Sequence, residues 1–213
     1  MFIIYSILLI ALLIVSDNEL SKKYYVPLKV ACSAFFVAIG LIEGCGLSVM
    51  LPVGLCALGD LFMALYNQKG RKRFLLTGII LFFGAHVGFL VDFYRIQPEL
   101  DIVAIIAPVG LCALFAVLYK IAHFHMGKMK LPGLLYCFMV SSMCVKSLLI
   151  AWGNPFVEVQ LLALGGVLFF LSDFSILFLY FYHFKKRRTK KLVHSFNLIT
   201  YYVAIYLFLI ILH

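Results

Sequence analysis

Cut at its polar clusters, the chain falls into eight apolar runs, at about 2–15, 26–42, 47–67, 74–94, 102–121, 131–152, 158–184 and 192–212. A bilayer core about 30 Å thick needs a helix of about 20 mostly apolar residues, and most of these runs meet that length. The alternating pattern of a membrane barrel is missing from them. Soluble domains are roughly 45–50% apolar, whereas 65% of these residues are hydrophobic, so the chain reads as an integral membrane protein. The expected fold is all-α: a polytopic bundle of eight transmembrane helices forming one domain over residues 1–213.

The opening MFIIYSILLIALLIV has no basic flank, and no small-residue cleavage site follows it before SDNELSKK. It is therefore expected to be a retained first span rather than a signal peptide. Basic residues give an orientation. Lys22 and Lys23 fall between spans 1 and 2, and Lys69, Arg71, Lys72 and Arg73 between 3 and 4. Lys128 and Lys130 fall between 5 and 6, and KKRRTKK (185–191) between 7 and 8. The alternate loops offer only Arg95. The positive-inside rule then puts both termini on the non-cytoplasmic side. The net charge of +9 is mostly this topology signal, and it does not argue for nucleic acid. A basic cluster beside a span meets anionic lipid head groups. The six cysteines are scattered without a CxxC, which indicates neither a disulfide framework nor a zinc site.

Ionisable residues inside a span cost about 2.5–3.5 kcal/mol each on the insertion scale, so each invites a reason. The central ones are Asp60 in span 3, His86 in span 4 and Asp173, next to Ser172, in span 7. Span 8 adds Thr200, Tyr201 and Tyr202, and span 6 adds Tyr136. From the helical rise, Asp60, His86, Asp173 and the two tyrosines of span 8 lie within roughly 10 Å of one plane. Such a layer is expected to face inward, because lipid offers a carboxyl group no partner. Two carboxyls in a low-dielectric site tend to hold one proton between them, an arrangement suited to general acid–base hydrolysis. The competing reading is a buried polar network that only fastens helices.

The remaining polar residues point less sharply. Lys29, near the cytoplasmic end of span 2, is placed to meet a phosphate or to snorkel. Asp92 and Arg95 read as interfacial charges, and Lys146 is expected to snorkel outward. His123 and His125 form an HxH with no third ligand nearby. The heptapeptide PVGLCAL occurs twice, at 52–58 and 108–114. One copy continues to Gly59-Asp60 and the other to Phe115-Ala116, so the second reads as wall.

The ordered segments GLCALGDLFMAL, FFGAHVGF, LLYCFMVSSM, LGGVLFFLSDFSI and ITYYVA, on spans 3, 4, 6, 7 and 8, resemble the YhhN-like lysoplasmalogenase family. The resemblance covers about Lys29 to Tyr206. It implies an eight-span hydrolase that cleaves the vinyl-ether bond of a lysoplasmalogen, releasing a fatty aldehyde and a glycerophospho-ethanolamine or -choline. The family's intramembrane aspartates map onto Asp60 and Asp173, its histidine onto His86 and its span-6 tyrosine onto Tyr136. Its tyrosine pair maps onto Tyr201 and Tyr202. Two positions depart from the pattern: Pro27 precedes Lys29 rather than following it, and Ile205 stands where a glutamine is expected.

The implied chemistry suits the residues already singled out. Protonating the β-carbon of a vinyl ether gives an oxocarbenium-like cation, water traps it, and the hemiacetal collapses to aldehyde and alcohol. One aspartic acid supplies the proton, and one aspartate stabilises the cation and activates the water. Asp173 is assigned the acid and Asp60 the base, with the reverse left open. His86 and Tyr201 or Tyr202 orient the pair. Tyr136, Ser172, Tyr201, Tyr202, Thr200 and Lys29 are candidate substrate contacts. Neither metal nor cofactor is required. Partners are the lysophospholipid and membrane lipids, and compact loops point to a bacterial cytoplasmic membrane. A transporter or lipid-binding receptor using the same polar layer is the alternative, followed by a zinc-dependent lipid amidase.

Overall fold

The structure, a computed structural model, describes residues 1–17 and 23–212, without the side chains of Phe2, Asp17 and Lys128. Lys22, counted above among the loop charges, lies outside the described residues, as does the side chain of Lys128. Among the described residues there are eight α-helices and no strand: α1 (Phe2–Asp17), α2 (Tyr25–Ile42), α3 (Leu47–Lys69), α4 (Lys72–Ile96), α5 (Val103–Ile121), α6 (Lys130–Ala151), α7 (Val157–Phe181) and α8 (Arg187–Ile211). Seven of them are long and apolar enough to cross a membrane. The exception is α1, whose 16 residues rise only about 24 Å.

Helix ends agree with the expected spans to within a few residues, save at one junction. The seventh helix stops at Phe181, and the eighth begins at Arg187, five residues ahead of the apolar run. Arginine and lysine are good helix formers, so the basic run continues the helix beyond its hydrophobic part. The α3–α4 connection is tighter still. Gly70 adopts φ +66°, a left-handed conformation that a side chain disfavours, and its N–H caps the Tyr66 carbonyl at 2.8 Å. Arg71 is then the only other residue before α4 begins.

The helices group into two compact units, residues 1–89 with 208–213, and residues 90–207. In the first, α1 packs on α2 and α2 on α3. Tyr5 and Leu12, two turns apart, are the buried stripe of α1, while Ile3, Ile4, Ile7, Ile10 and Ile14 are exposed, as befits a lipid-facing side. The α3–α4 seam is built on small residues. A Cβ on Gly59 would meet the Phe82 ring at 2.8 Å, one on Gly78 the Met63 sulfur at 2.9 Å, and one on Gly88 the Pro52 ring at 2.9 Å. Glycine at these three points lets the two backbones approach closely. Phe89 of α4 and Phe208 of α8 close this unit, with ring centroids 4.9 Å apart.

In the second unit α6 packs against both α5 and α7. Residues 140–147 are all buried, a full two turns with no exposed face, which marks α6 as the unit's central helix. Its contact with α7 is close: a Cβ on Gly166 would run into the Ser147 hydroxyl. The outer helix is α5, where Ala104, Pro108 and Phe115 alone are buried. At the other end of the unit the His125 N–H donates to the Phe181 carbonyl at 2.9 Å, and Phe124 packs edge-on against Phe178.

Candidate active site

Asp60 sits on α3, one residue beyond the glycine that admits Phe82. Its carboxylate is 1% exposed and is held from α2. Lys29 and Ser33 are four residues apart, one turn, and therefore share a face of that helix. The Lys29 ammonium lies 3.0 Å from Asp60 Oδ1, and the Ser33 hydroxyl donates to Oδ2 at 2.7 Å. Ser33 Oγ also lies 3.1 Å from the Lys29 carbonyl, which ties it back to its own helix. Lys29 is therefore buried in an ion pair and does not snorkel to the interface.

His86 is fully buried on α4, and its Nδ1 is hydrogen-bonded to the Phe82 carbonyl one turn back. A carbonyl can only accept, so Nδ1 carries the hydrogen. Gly59, Phe82 and His86 thus form a chain of consequences: the missing side chain admits the ring, and the same residue's carbonyl orients the imidazole.

Asp173 lies on α7, 4% exposed, and accepts a hydrogen bond from the Tyr136 hydroxyl of α6 at 2.7 Å. The next residue back fixes α7 to α8. Asn197 Nδ2 donates to both the carbonyl and the hydroxyl of Ser172 at 2.9 Å, and the Ser172 hydroxyl donates to the Asn197 carbonyl at 3.2 Å. This reciprocal joint is made by the residue that precedes Asp173 in α7. Higher on α8, Tyr201 meets the Phe169 ring edge-on at 5.5 Å and Tyr202 at 5.0 Å, and both tyrosines are buried.

Among the expected site residues, the structure joins Lys29 to Asp60 and Tyr136 to Asp173. It gives two others a different occupation. The Thr200 hydroxyl bonds the Phe196 and Asn197 carbonyls of its own helix, and the Ser172 hydroxyl is engaged in the α7–α8 joint. Ser33 and Asn197 are site neighbours that the sequence reading missed. A search restricted to ionisable groups passes over neutral donors, although an i, i+4 step from Lys29 points at Ser33.

The outlying charges also find their places. Asp92 is buried and paired with the exposed Arg95 at 2.9 Å. Lys146, expected to snorkel, is fully buried: its ammonium donates to the Glu99 carbonyl at 2.8 Å and lies 4.4 Å from the Tyr94 ring centroid. A long side chain reaching a loop carbonyl satisfies its charge without reaching water. His123 and His125 are both exposed, and among the described residues no group of three or more His, Cys, Asp or Glu is placed to hold a metal ion.

The model of the family described as YhhN matches residues 3–211, nearly the whole chain. No curated protein and no solved structure matches it.

Proposed function

The chain belongs to the YhhN family, and on that premise we propose that it is an intramembrane hydrolase cleaving the vinyl-ether bond of lysoplasmalogens. The products are a fatty aldehyde and a glycerophospho-alcohol. The observation that carries this reading is the pair of buried carboxyls in unlike company: Asp60 with an ammonium and a hydroxyl, Asp173 with a phenol.

Asp173 is the acid. It delivers its proton to the β-carbon of the alkenyl chain, leaving an oxocarbenium ion at the α-carbon and ether oxygen. Asp60, held in its ion pair with Lys29, stabilises that cation and accepts a proton from the attacking water. The hemiacetal then gives its hydroxyl proton to Asp173 as its carbon–oxygen bond to the glycerol breaks. Asp60 returns its proton to the departing glycerol oxygen, so that aldehyde and alcohol form and both groups are restored. The Tyr136 hydroxyl aligns Asp173, and supporting roles are assigned to His86, Tyr201 and Tyr202. The pathway needs water as its only co-reactant.

The deciding experiment is a product assay on the purified protein in lipid nanodiscs, with a lysoplasmalogen and the matched 1-acyl lysophospholipid as substrates. Free aldehyde from the first, with no fatty acid from the second, is the expected result. Fatty acid from the second would move the protein to the ester or amide hydrolases, and no turnover of either would favour the transporter or receptor reading. Stoichiometric zinc in active protein would overturn the two-aspartate pathway. We place the protein in a bacterial cytoplasmic membrane with both termini on the non-cytoplasmic side.

A further inference from the structure

We propose that Lys29 and Ser33 are positioning residues for Asp60, and that Lys29 does this in place of binding the substrate phosphate. The inference rests on the functional reading above and deepens it. Each oxygen of the Asp60 carboxylate has its own donor: Lys29 Nζ at 3.0 Å on Oδ1 and Ser33 Oγ at 2.7 Å on Oδ2. Two donors on two oxygens define the plane of the group as well as its position. Both come from one face of α2, so a single rigid element sets the carboxylate's orientation.

Burial decides between this role and substrate capture. Lys29 is 7% exposed, Ser33 2% and Asp60 1%. An ammonium that left this place to follow a lipid phosphate would abandon a carboxylate shielded from water, and charged groups in such places are costly to strand. The carboxylate of this ion pair is the form that stabilises a developing cation and takes a proton from water. A group held this way before the substrate arrives needs no reorganisation in the transition state. Its loss therefore falls on the chemical step.

The test compares Lys29→Met, Lys29→Arg, Ser33→Ala and Ser33→Thr with the wild type in nanodiscs, measuring kcat and KM for aldehyde release. Lys29→Met is expected to lower kcat about 100-fold with KM little changed, the scale of a misplaced catalytic group. Lys29→Arg, which keeps the charge, is expected to restore most of that loss. Ser33→Ala is expected to lower kcat about tenfold, with Ser33→Thr near wild type. A raised KM at unchanged kcat in Lys29→Met, or in Lys29→Arg where Lys29→Met does not fold, overturns the proposal, because it marks the ammonium as a substrate contact.

If the wild type itself releases no aldehyde, the functional reading falls and the pairing is judged on its own. The thermal midpoints of Lys29→Met, Asp60→Asn and the double variant in detergent then form a cycle. A double variant at least as stable as either single one supports the pair. Strictly additive losses overturn it.

Discussion

Asp60→Asn and Asp173→Asn remove the two carboxyl groups while keeping their shape and much of their hydrogen bonding. Each is expected to reduce aldehyde release by about 100- to 10,000-fold, the range of a lost acid or base, with the protein still folded in detergent. Near-normal turnover by either variant would take that residue out of the chemistry. Tyr136→Phe, which takes the donor from Asp173, is expected to be milder and to preserve the fold. A different residue-scale outcome concerns Cys45, in the loop between α2 and α3. Burial, and then the nearby Glu43 carboxylate, pushes its thiol above the usual range, and Sγ donates to the Leu209 carbonyl at 3.4 Å. Thiolate is the reactive form, so maleimide labelling of Cys45 at neutral pH should be slower than that of an exposed cysteine. The rate should keep rising with pH beyond the point where an ordinary thiol levels off.

Helix by helix, much was legible in the sequence. Apolar runs of membrane length leave little freedom in where helices begin and end, and α2 to α6 follow them closely. The exception, the start of α8, arose because a hydropathy cut stops at charge while a helix does not. The heptapeptide repeat shows the other limit. In α3, Val53 and Cys56 are fully buried; in α5 the equivalent Val109 is exposed and Cys112 half-buried. Identical strings met different neighbours, because rotation of a helix about its axis depends on its partners. For the same reason the depths of Lys29 and Asp60 could be read from the chain and their pairing could not. Position 116 is itself exposed, so Ala116→Asp is expected not to rescue an Asp60→Asn protein. The glycine seams make a sharper forecast. Gly166→Val drives a side chain into Ser147, and Gly59→Leu drives one into Phe82. Each is expected to destabilise by about 1–3 kcal/mol in a detergent unfolding series, more than Gly54→Ala, where open space awaits a Cβ.

At the scale of the whole molecule, the charge pattern calls for a fixed sidedness. Reporter fusions after Gly70 and after Phe184 should report the cytoplasm, and fusions after Gly46 and Gly153 the opposite side. Reversal of all four would invert the topology and leave the helix packing untouched. Removing the positive charges of KKRRTKK is expected to loosen orientation before it affects turnover, since that run stands at the start of α8 and the aspartates stand well inside α3 and α7.

The ion pair between α2 and α3 has one more consequence, for the order of events during synthesis. Lys29 leaves the ribosome a full helix ahead of Asp60, so when α3 enters the bilayer its carboxylate meets an ammonium already waiting on α2. Gly70 then turns the chain at once into α4, whose Gly78 and Gly88 meet Met63 and Pro52 of α3. Nascent chains truncated soon after α3 should thus hold Asp60 in the membrane, and the same truncations carrying Lys29→Met should let α3 slip back toward the translocation channel.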